Sequence, residues 1–237
     1  LYGGRCYSSP TMDTKAGRAM NEKFPGTTGS LGMAISEAVE VALEDEKTHY
    51  TLGSVLNHVM LHQTIIGEET LLQLKKFGED QADYVFGCAG GGSNLAGLSF
   101  PFIRELIAGN CTTKIVAVEP ASCPSMTEGE FRYDYGDVAH TTPLMKMYTM
   151  GADFVPDPIH AGGLRYHGMA PMVSHAHHLG LLQSIALPQE TTFKAGRLMA
   201  RTEGIVPAPE STHALAGALL EARKHQGTPG SGPSIVI

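Results

Sequence analysis

The chain has 237 residues, of which 42% are hydrophobic and 17% charged, and it contains no tryptophan. This composition is typical of a folded α/β protein and excludes disordered and fibrous classes, while the length allows one large domain or two small ones. The formal net charge of -7, without a cluster of basic residues, argues against a nucleic acid or an anionic membrane as partner.

The cysteines and the two ends of the chain bear on location and completeness. Cys6, Cys88, Cys111 and Cys123 show no CxxC spacing, and we recognise no secretory leader, so reduced thiols in a cytoplasmic protein are expected. No apolar run approaches the length of a membrane span. The chain starts without Met and ends in "PSIVI", which is typical of a β-strand, and we therefore expect a fragment.

The first predicted elements are helices. Residues 30–44 have apolar side chains at helical spacing after Ser30, a good N-cap. Residues 56–77 predict a second helix with a break near Gly67, and its two final lysines and Gly78 suit a helix C-terminus.

The middle of the chain predicts a strand at 83–89, a helix at 94–108 and a second strand at 114–119. A strand, helix and strand in this order imply parallel pairing with the helix on one face of the sheet. Residues 119–188 have an irregular pattern, and long irregular connections in a compact domain are often functional.

The last predicted elements are two helices and the final strand. The helices cover 188–202, ended by Gly204, and 210–224, ended by Gly227. The expected fold is therefore α/β, a three-layer parallel sheet flanked by helices.

The segment "GCAGGGSNLAGLSF" (87–100) joins the first strand to the following helix. Backbone N–H groups of Gly90, Gly91 and Gly92 at a helix N-terminus favour an anion, and Ser93 and Asn94 add donors. The alternative is a turn whose glycines only permit close packing. No Lys follows as in a Walker loop, and the dinucleotide fingerprint lacks its third glycine.

"GGGSN" after a strand resembles the phosphate-binding cup of fold-type II pyridoxal phosphate enzymes, and segments through nearly the whole chain resemble tryptophan synthase beta chains. "HAGGLRYHG" is similar to the divergent second type of these chains. The similar segments are "GSLGMAISEA" (29–38), "YTLGSVLNHVMLHQTIIGEE" (50–69), "VEPASCPSMTEGE" (118–130), "GADFVPDPIHAGGLRYHGMAP" (151–171) and "EGIVPAPESTHALAGAL" (203–219).

The resemblance implies a lyase that uses pyridoxal 5'-phosphate for a β-replacement, joining L-serine or O-phosphoserine to indole to give L-tryptophan. It implies a homodimer, with a tryptophan synthase alpha chain as an optional partner. It also implies two regions: residues 1–54 as the remnant of an N-terminal communication domain, and residues 55–237 as the C-terminal cofactor domain, truncated at its last strand.

The resemblance carries site roles onto matching positions. The phosphate cup corresponds to Gly90, Gly91, Gly92, Ser93 and Asn94. The other implied roles are a carboxylate near the cofactor ring for Glu210, a contact to the hydroxyl of bound serine for Asp153, substrate binding for Arg165 and His167, and backbone ligation of Na⁺ or K⁺ by Gly90 and Phe154.

Each of the side-chain roles has a structural alternative. Glu210 also suits the first turn of a helix for electrostatic reasons alone. Asp153 could be an ordinary loop acid, and Arg165 could form a buried structural ion pair as well as bind a carboxylate or phosphate.

The family's imine-forming lysine, in a Ser-His-Lys-x-Asn motif, is absent, and so are its "TGAGQ" and Ser-Gly-His-Gly segments. Among the nine lysines, Lys15 and Lys194 come closest in context, yet both are typical of surface helix positions, where an amine keeps its ordinary pKa. We therefore expect the chain alone to be inactive.

Other functions remain alternatives. One is a different fold-type II enzyme, such as a serine/threonine dehydratase, and another is a non-catalytic fragment that binds a phosphate ester. His58 and His62 have helical zinc spacing but lack the glutamate of HExxH, so core or interface histidines are expected. The run "HAHH" (175–178) is predicted to be a polar helix or loop face.

Overall fold

The computed structural model describes residues 2–225 and 232–237. Its helices are α1 (Lys15–Lys23), α2 (Leu31–Glu44), α3 (Asn57–Lys76), α4 (Ser93–Ile107), α5 (Ser125–Glu128), α6 (Pro171–His178), α7 (Gln189–Thr202) and α8 (Ser211–Lys224), with a 3₁₀ turn at Gly162–Leu164. Its strands are β1 (Tyr84–Cys88), β2 (Lys114–Pro120), β3 (Glu130–Tyr135), β4 (Leu144–Thr149), β5 (Gln183–Leu187) and β6 (Ile235–Val236).

Four of the strands form one parallel sheet in the order β5-β2-β1-β6. Val85 and Ile115 belong to a core shared with α4, whereas Phe86 and Val118 belong to a second core shared with α8. Because neighbouring residues of a strand face opposite sides, the sheet is buried between helices on both faces. The expected three-layer parallel architecture is confirmed.

Gly217 brings α8 unusually close to this sheet. A Cβ at Gly217 would lie 2.8 Å from Cγ2 of Val118 and 2.9 Å from Cδ1 of Phe86. The middle of α8 is therefore held against β1 and β2. Because α8 is followed by β6, which pairs in parallel with β1, its N-terminal end points to the carboxyl ends of the strands, where a parallel sheet usually carries its site.

The predicted break in the second long helix is wrong, because α3 runs without interruption from Asn57 to Lys76. A Cβ at Gly67 would clash with the carbonyl oxygen of Leu98 and the ring of Pro101. Gly67 is therefore a point where α3 and α4 approach closely, and it marks a packing contact instead of a helix end.

Three predicted helix boundaries are confirmed. The Ser30 side chain accepts a hydrogen bond from the Met33 N–H at 3.3 Å, so Ser30 is the N-cap of α2. Gly78 and Gly204 follow α3 and α7 with φ of +79° and +70°, the left-handed conformation expected after a helix. Gly227 lies outside the described residues.

The segment predicted to be irregular, 119–188, contains an antiparallel hairpin of β3 and β4, two short helices and β5. The hairpin was missed because its loop is long and lacks a short turn signal. Asp137 orders this loop: its carboxylate accepts hydrogen bonds from the backbone and hydroxyl groups of Thr141 and Thr142.

Residues 28–36 lie against the hairpin. The Ser36 hydroxyl donates to Asp137 at 2.8 Å, and the N–H of Leu31 donates to the carbonyl of Arg165 at 3.3 Å. The predicted remnant domain, residues 1–54, therefore contacts the predicted cofactor domain directly, and the division at residue 54 stays a prediction.

Over residues 2–225 and 232–237, none of the helices combines the length and the apolar character that a membrane crossing needs. The same residues contain no group of three or more His, Cys, Asp or Glu side chains arranged to hold a metal ion. His58 and His62 are exposed on α3, so the core alternative is wrong for them, and the interface alternative stays a prediction. "HAHH" ends α6 as a largely polar helix face, as predicted.

Candidate functional site

The glycine loop, residues 89–92, leaves the carboxyl end of β1 and leads into α4. Gly92 is the N-cap residue, with φ of +105°, and no side chain caps the helix. Within the described residues, the N–H groups of Gly90 through Asn94 donate to no protein acceptor. Unpaired donors at a helix N-terminus, where the helix dipole is positive, are the usual setting for a bound anion.

Each of the three glycines is also required by packing. A Cβ at Gly90 would lie 2.5 Å from the carbonyl oxygen of Gly163, and a Cβ at Gly92 would lie 2.8 Å from the Met169 sulfur. A Cβ at Gly91 would overlap the Ser54 hydroxyl. Close packing, the alternative interpretation of the sequence, is thus part of the explanation, yet it leaves the N–H groups unpaired.

Ser93 and Asn94 begin α4. The Ser93 hydroxyl donates to the carbonyl of Gly53 at 3.4 Å, and Asn94 Oδ1 accepts from the Cys88 thiol at 3.3 Å. Burial raises the pKa of Cys88 to about 11, and the negative charge of Glu210 acts in the same direction. The thiol is therefore neutral at physiological pH and available as a donor.

Glu210 precedes α8 and is half-buried. Its Oε1 accepts a hydrogen bond from the N–H of Gly163 at 3.1 Å. Because the carbonyl of Gly163 packs on Gly90, the 3₁₀ turn at 162–164 joins Glu210 to the glycine loop. Gly163 was not singled out from the sequence, although it lies inside "HAGGLRYHG", and this contact could not be deduced from spacing.

Asp153 and Phe154 lie further along the chain. Asp153 is exposed and forms an ion pair with Lys23 of α1 at 2.7 Å. The N–H of Phe154 closes a turn onto the carbonyl of Gly151 at 2.9 Å. In the described part of the chain, no hydrogen bond or ion pair links Asp153 to the glycine loop.

Arg165 is held by neutral oxygens instead of a carboxylate. Its Nη2 donates to Thr28 Oγ1 at 2.9 Å and to the carbonyls of Gly29 at 2.9 Å and Pro156 at 2.8 Å, while its Nε is buried without a partner. The alternative of a buried ion pair finds no carboxylate partner among the described residues. The observed bonds connect residues 28 and 29, just before α2, to residues 156 and 165.

His167 is almost completely buried, with 1% of its surface exposed. Its Nε2 lies 2.8 Å from the carbonyl oxygen of Tyr135, and burial lowers its pKa. A neutral ring with the proton on Nε2 satisfies this contact. A Cβ at Gly32 would lie 3.1 Å from Nδ1 of His167, so the ring packs tightly between α2 and the hairpin.

His213 is a buried neighbour of Glu210 that sequence analysis missed. Its Nδ1 lies 3.0 Å from the carbonyl oxygen of Pro209 and 3.2 Å from that of Glu210, and its Nε2 has no partner. Burial lowers its pKa, which favours the neutral ring. The bonds to residues 209 and 210 stiffen the entry into α8 that carries the Glu210 carboxylate.

All nine lysines are described, and all are exposed. Lys15 begins α1 and pairs with Glu44, and this hydrogen bond raises its pKa; Lys194 lies on the outer side of α7. A nucleophilic amine needs a depressed pKa, usually from burial or a nearby cation. The sequence interpretation of Lys15 and Lys194 as surface positions is confirmed.

Comparison with known proteins gives the family. A sequence profile described as "Pyridoxal-phosphate dependent enzyme" matches residues 11–237. The chain belongs to this family. Family membership implies pyridoxal phosphate as the cofactor, as the resemblance predicted.

The curated relatives include proteins named tryptophan synthase beta chain. One from Methanothermobacter thermautotrophicus, "Tryptophan synthase beta chain 2", is 52% identical over 237 residues, which are 100% of this chain and 55% of the relative. Relatives from Thermotoga maritima and Fervidobacterium nodosum are 52% and 54% identical over 94% of this chain and 53% and 52% of their own lengths. The chain thus spans about half the length of the curated relatives it matches.

A solved structure supports the fold. The crystal structure of a T.th. threonine deaminase superposes with a TM-score of 0.53 and 18% identity, covering 75% of this chain and 54% of that one. At this identity the similarity shows the fold alone, a pyridoxal-phosphate enzyme fold with a parallel sheet and flanking helices.

The residues present fit the phosphate end of the cofactor. Five unpaired N–H donors at an uncapped helix N-terminus suit a dianionic ester. The covalent end of the cofactor has no matching group here, because every lysine lies on the surface.

Proposed function

We propose that this chain is the cofactor-binding part of a tryptophan synthase beta enzyme. The observation that carries the proposal is the row of unpaired N–H groups at 90–94, joined to Glu210 through Gly163. This arrangement occurs in a chain that is 52% identical to a protein named tryptophan synthase beta chain 2. In the full-length protein, the reaction is a β-replacement that condenses L-serine or O-phosphoserine with indole to give L-tryptophan.

The phosphate of the cofactor is assigned to the N–H groups of Gly90, Gly91, Gly92, Ser93 and Asn94. When bound, pyridoxal phosphate supplies an electron sink that stabilises negative charge at the substrate's α-carbon. Glu210 is assigned to the cofactor ring, and the N–H of Gly163 and the rigid entry into α8 keep its carboxylate in one orientation.

The substrate side of the site is assigned to Asp153, Arg165 and His167. Asp153 is proposed to accept a hydrogen bond from the hydroxyl of bound serine, which requires its exposed ion pair with Lys23 to open. Exposed ion pairs contribute little to stability, so opening this one costs little free energy. For Arg165 and His167, the hydrogen bonds to residues 28, 29, 156 and 135 support a role in holding the walls of the site.

The proposed partners follow the family resemblance. The full-length protein is proposed to be a cytoplasmic homodimer, with a tryptophan synthase alpha chain as a further partner. Carbonyl groups of Gly90 and Phe154 are proposed as ligands of Na⁺ or K⁺. Carbonyl oxygens suit such cations because they are hard neutral donors.

The isolated chain is proposed to bind pyridoxal phosphate reversibly, without a covalent link. To test this, the 237-residue chain is mixed with equimolar pyridoxal phosphate, reduced with borohydride and analysed by mass spectrometry. We expect phosphate-dependent binding and no stoichiometric pyridoxyl-lysine, with phosphate-free pyridoxal as the control. Stoichiometric labelling of any one of the nine lysines would contradict the assignment of the reactive lysine to another part of the enzyme.

A second candidate is a non-catalytic fragment that binds a phosphate ester, which the exposure of every lysine favours. The two candidates differ in the full-length protein: only a beta enzyme consumes indole. Ammonia release without indole consumption would instead indicate a dehydratase, for which the similarity to threonine deaminase gives fold-level support alone.

A further inference from the structure

The thiol of Cys88, in the sheet, contacts Asn94, one of the residues of the predicted phosphate cup. Cys88 is the last residue of β1, is 6% exposed and faces the α8 side of the sheet together with Phe86. Its Sγ lies 3.3 Å from Oδ1 of Asn94, which is the second residue of α4 and is exposed. The Asn94 amide oxygen therefore contacts a buried thiol, although the residue itself is exposed.

We propose that Cys88 is a positioning residue: by donating its S–H to Asn94 Oδ1, it fixes the orientation of the Asn94 amide so that the Nδ2 hydrogens serve the bound phosphate. The inference rests on the proposed function, in which residues 90–94 hold this phosphate. An amide carries an acceptor at one end and two donors at the other. Occupying the acceptor end determines where the donors are presented.

The contact between the Cys88 sulfur and Asn94 Oδ1 at 3.3 Å is the geometric basis of this orientation. When the S–H group pairs with the amide oxygen, the NH₂ end of the amide is turned away from the sulfur. An anion at the positive N-terminal end of α4 can accept hydrogen bonds from the backbone N–H groups and from the Asn94 NH₂ group together.

The competing interpretation is that Cys88 is only a small apolar core residue. It does pack in the cluster that includes Phe86, Ala214 and Ala218. The two interpretations separate on chemistry at nearly constant volume. Cys88→Ser keeps a donor and loses apolar character, whereas Cys88→Ala keeps apolar character and loses the donor.

The test measures reversible binding of pyridoxal 5'-phosphate and of inorganic phosphate to the 237-residue chain by calorimetry. We expect Cys88→Ala to weaken binding of both ligands about 3- to 10-fold, the range for one neutral hydrogen bond, and Cys88→Ser to change it less than about 2-fold. In an Asn94→Ala background, Cys88→Ala should have no further effect, because the thiol acts through that amide.

Cys123→Ala is the matched control. Cys123 is also a buried thiol, 2% exposed, and it donates to the carbonyl of Tyr166 at 3.1 Å, away from the glycine loop. Its removal should leave both binding constants unchanged while affecting stability about as much as Cys88→Ala. A change in stability alone therefore cannot mimic the expected result.

A ligand-free measurement keeps the proposal independent of affinity. In protein labelled with ¹⁵N-asparagine, the Asn94 side-chain NH₂ should show one set of contacts to Hβ in the wild type and in Cys88→Ser, and averaged contacts in Cys88→Ala. An unchanged amide in Cys88→Ala, or an equal loss of affinity in the Asn94→Ala background, would overturn the positioning role. If the wild type binds neither ligand, the proposed function fails, and with it the phosphate role of Asn94.

Discussion

The contact between the glycine loop and the 3₁₀ turn can be tested by adding a single methyl group. In Gly90→Ala, the new Cβ would lie 2.5 Å from the carbonyl oxygen of Gly163, 2.8 Å from the Cα of Leu164 and 3.1 Å from its Cδ2. Ordinary van der Waals contact begins near 3.4 Å, so the closest overlap is about 0.9 Å. Two of the three neighbours are backbone atoms, which cannot rotate away.

Overpacking of this kind costs about 1–3 kcal/mol, and backbone neighbours favour a value near the upper end of that range. With a urea m-value of about 2 kcal/mol/M, the unfolding midpoint of Gly90→Ala should fall by about 1 M or more. Relief of the clash also displaces Gly163, whose N–H holds Glu210. We therefore expect weaker pyridoxal phosphate binding by the fraction that remains folded.

Gly162→Ala is the control, because it adds the same methyl group in the same turn. A Cβ at Gly162 would meet nothing within 4 Å, and loss of unfolded-state freedom should make the variant neutral or slightly more stable. Urea unfolding of both variants is followed by far-ultraviolet circular dichroism. Equal midpoints for Gly90→Ala and Gly162→Ala would refute the close approach of residues 162–164 to the glycine loop.

Two further predictions concern titration and the exposed ion pair. Burial raises the pKa of Cys88 to about 11 and that of Cys123 to about 12. Above about pH 9 the unfolded state therefore loses these protons first, and the free energy of unfolding should fall as the pH rises toward about 11. Urea titrations should show a shallower fall with pH in the double variant Cys88→Ser/Cys123→Ser, and an identical slope would contradict the burial of these thiols. Lys23→Ala removes the exposed partner of Asp153 and should change the free energy of unfolding by less than about 1 kcal/mol; a larger loss in thermal unfolding would mean that Asp153 is not free to serve a substrate.

The sheet and its two flanking layers were predictable because their signals are local. β1 and β2 are short runs of buried apolar residues, and α4 lies between them with helical periodicity. The β3–β4 hairpin was not predictable, because a long loop without a short turn motif joins its strands. Asp137 orders this loop by accepting hydrogen bonds from Thr141 and Thr142, which are close to it in sequence. Propensity is a weak guide where tertiary contacts decide.

The candidate site divides in the same way. "GGGSN" is a local signal and indicated the anion site and its position after a strand. The contacts that complete the site are not local: Cys88 reaches Asn94 across the loop, and Gly163 joins two segments that are far apart in the chain. The continuous α3 shows the same limit, since the role of Gly67 depends on α4 packing against it.

The close packing of the glycine loop affects how its unpaired N–H groups would bind an anion. A free Gly-Gly-Gly segment is highly flexible, and ordering it on a ligand would cost conformational entropy that weakens binding. Here Ser54, Gly163 and Met169, from three separate segments, fill the space that side chains would take. The loop is therefore held in place before any anion arrives, and its donors need no rearrangement. Affinity for the proposed phosphate should therefore depend on all three segments, and the motif without this packing should bind an anion weakly.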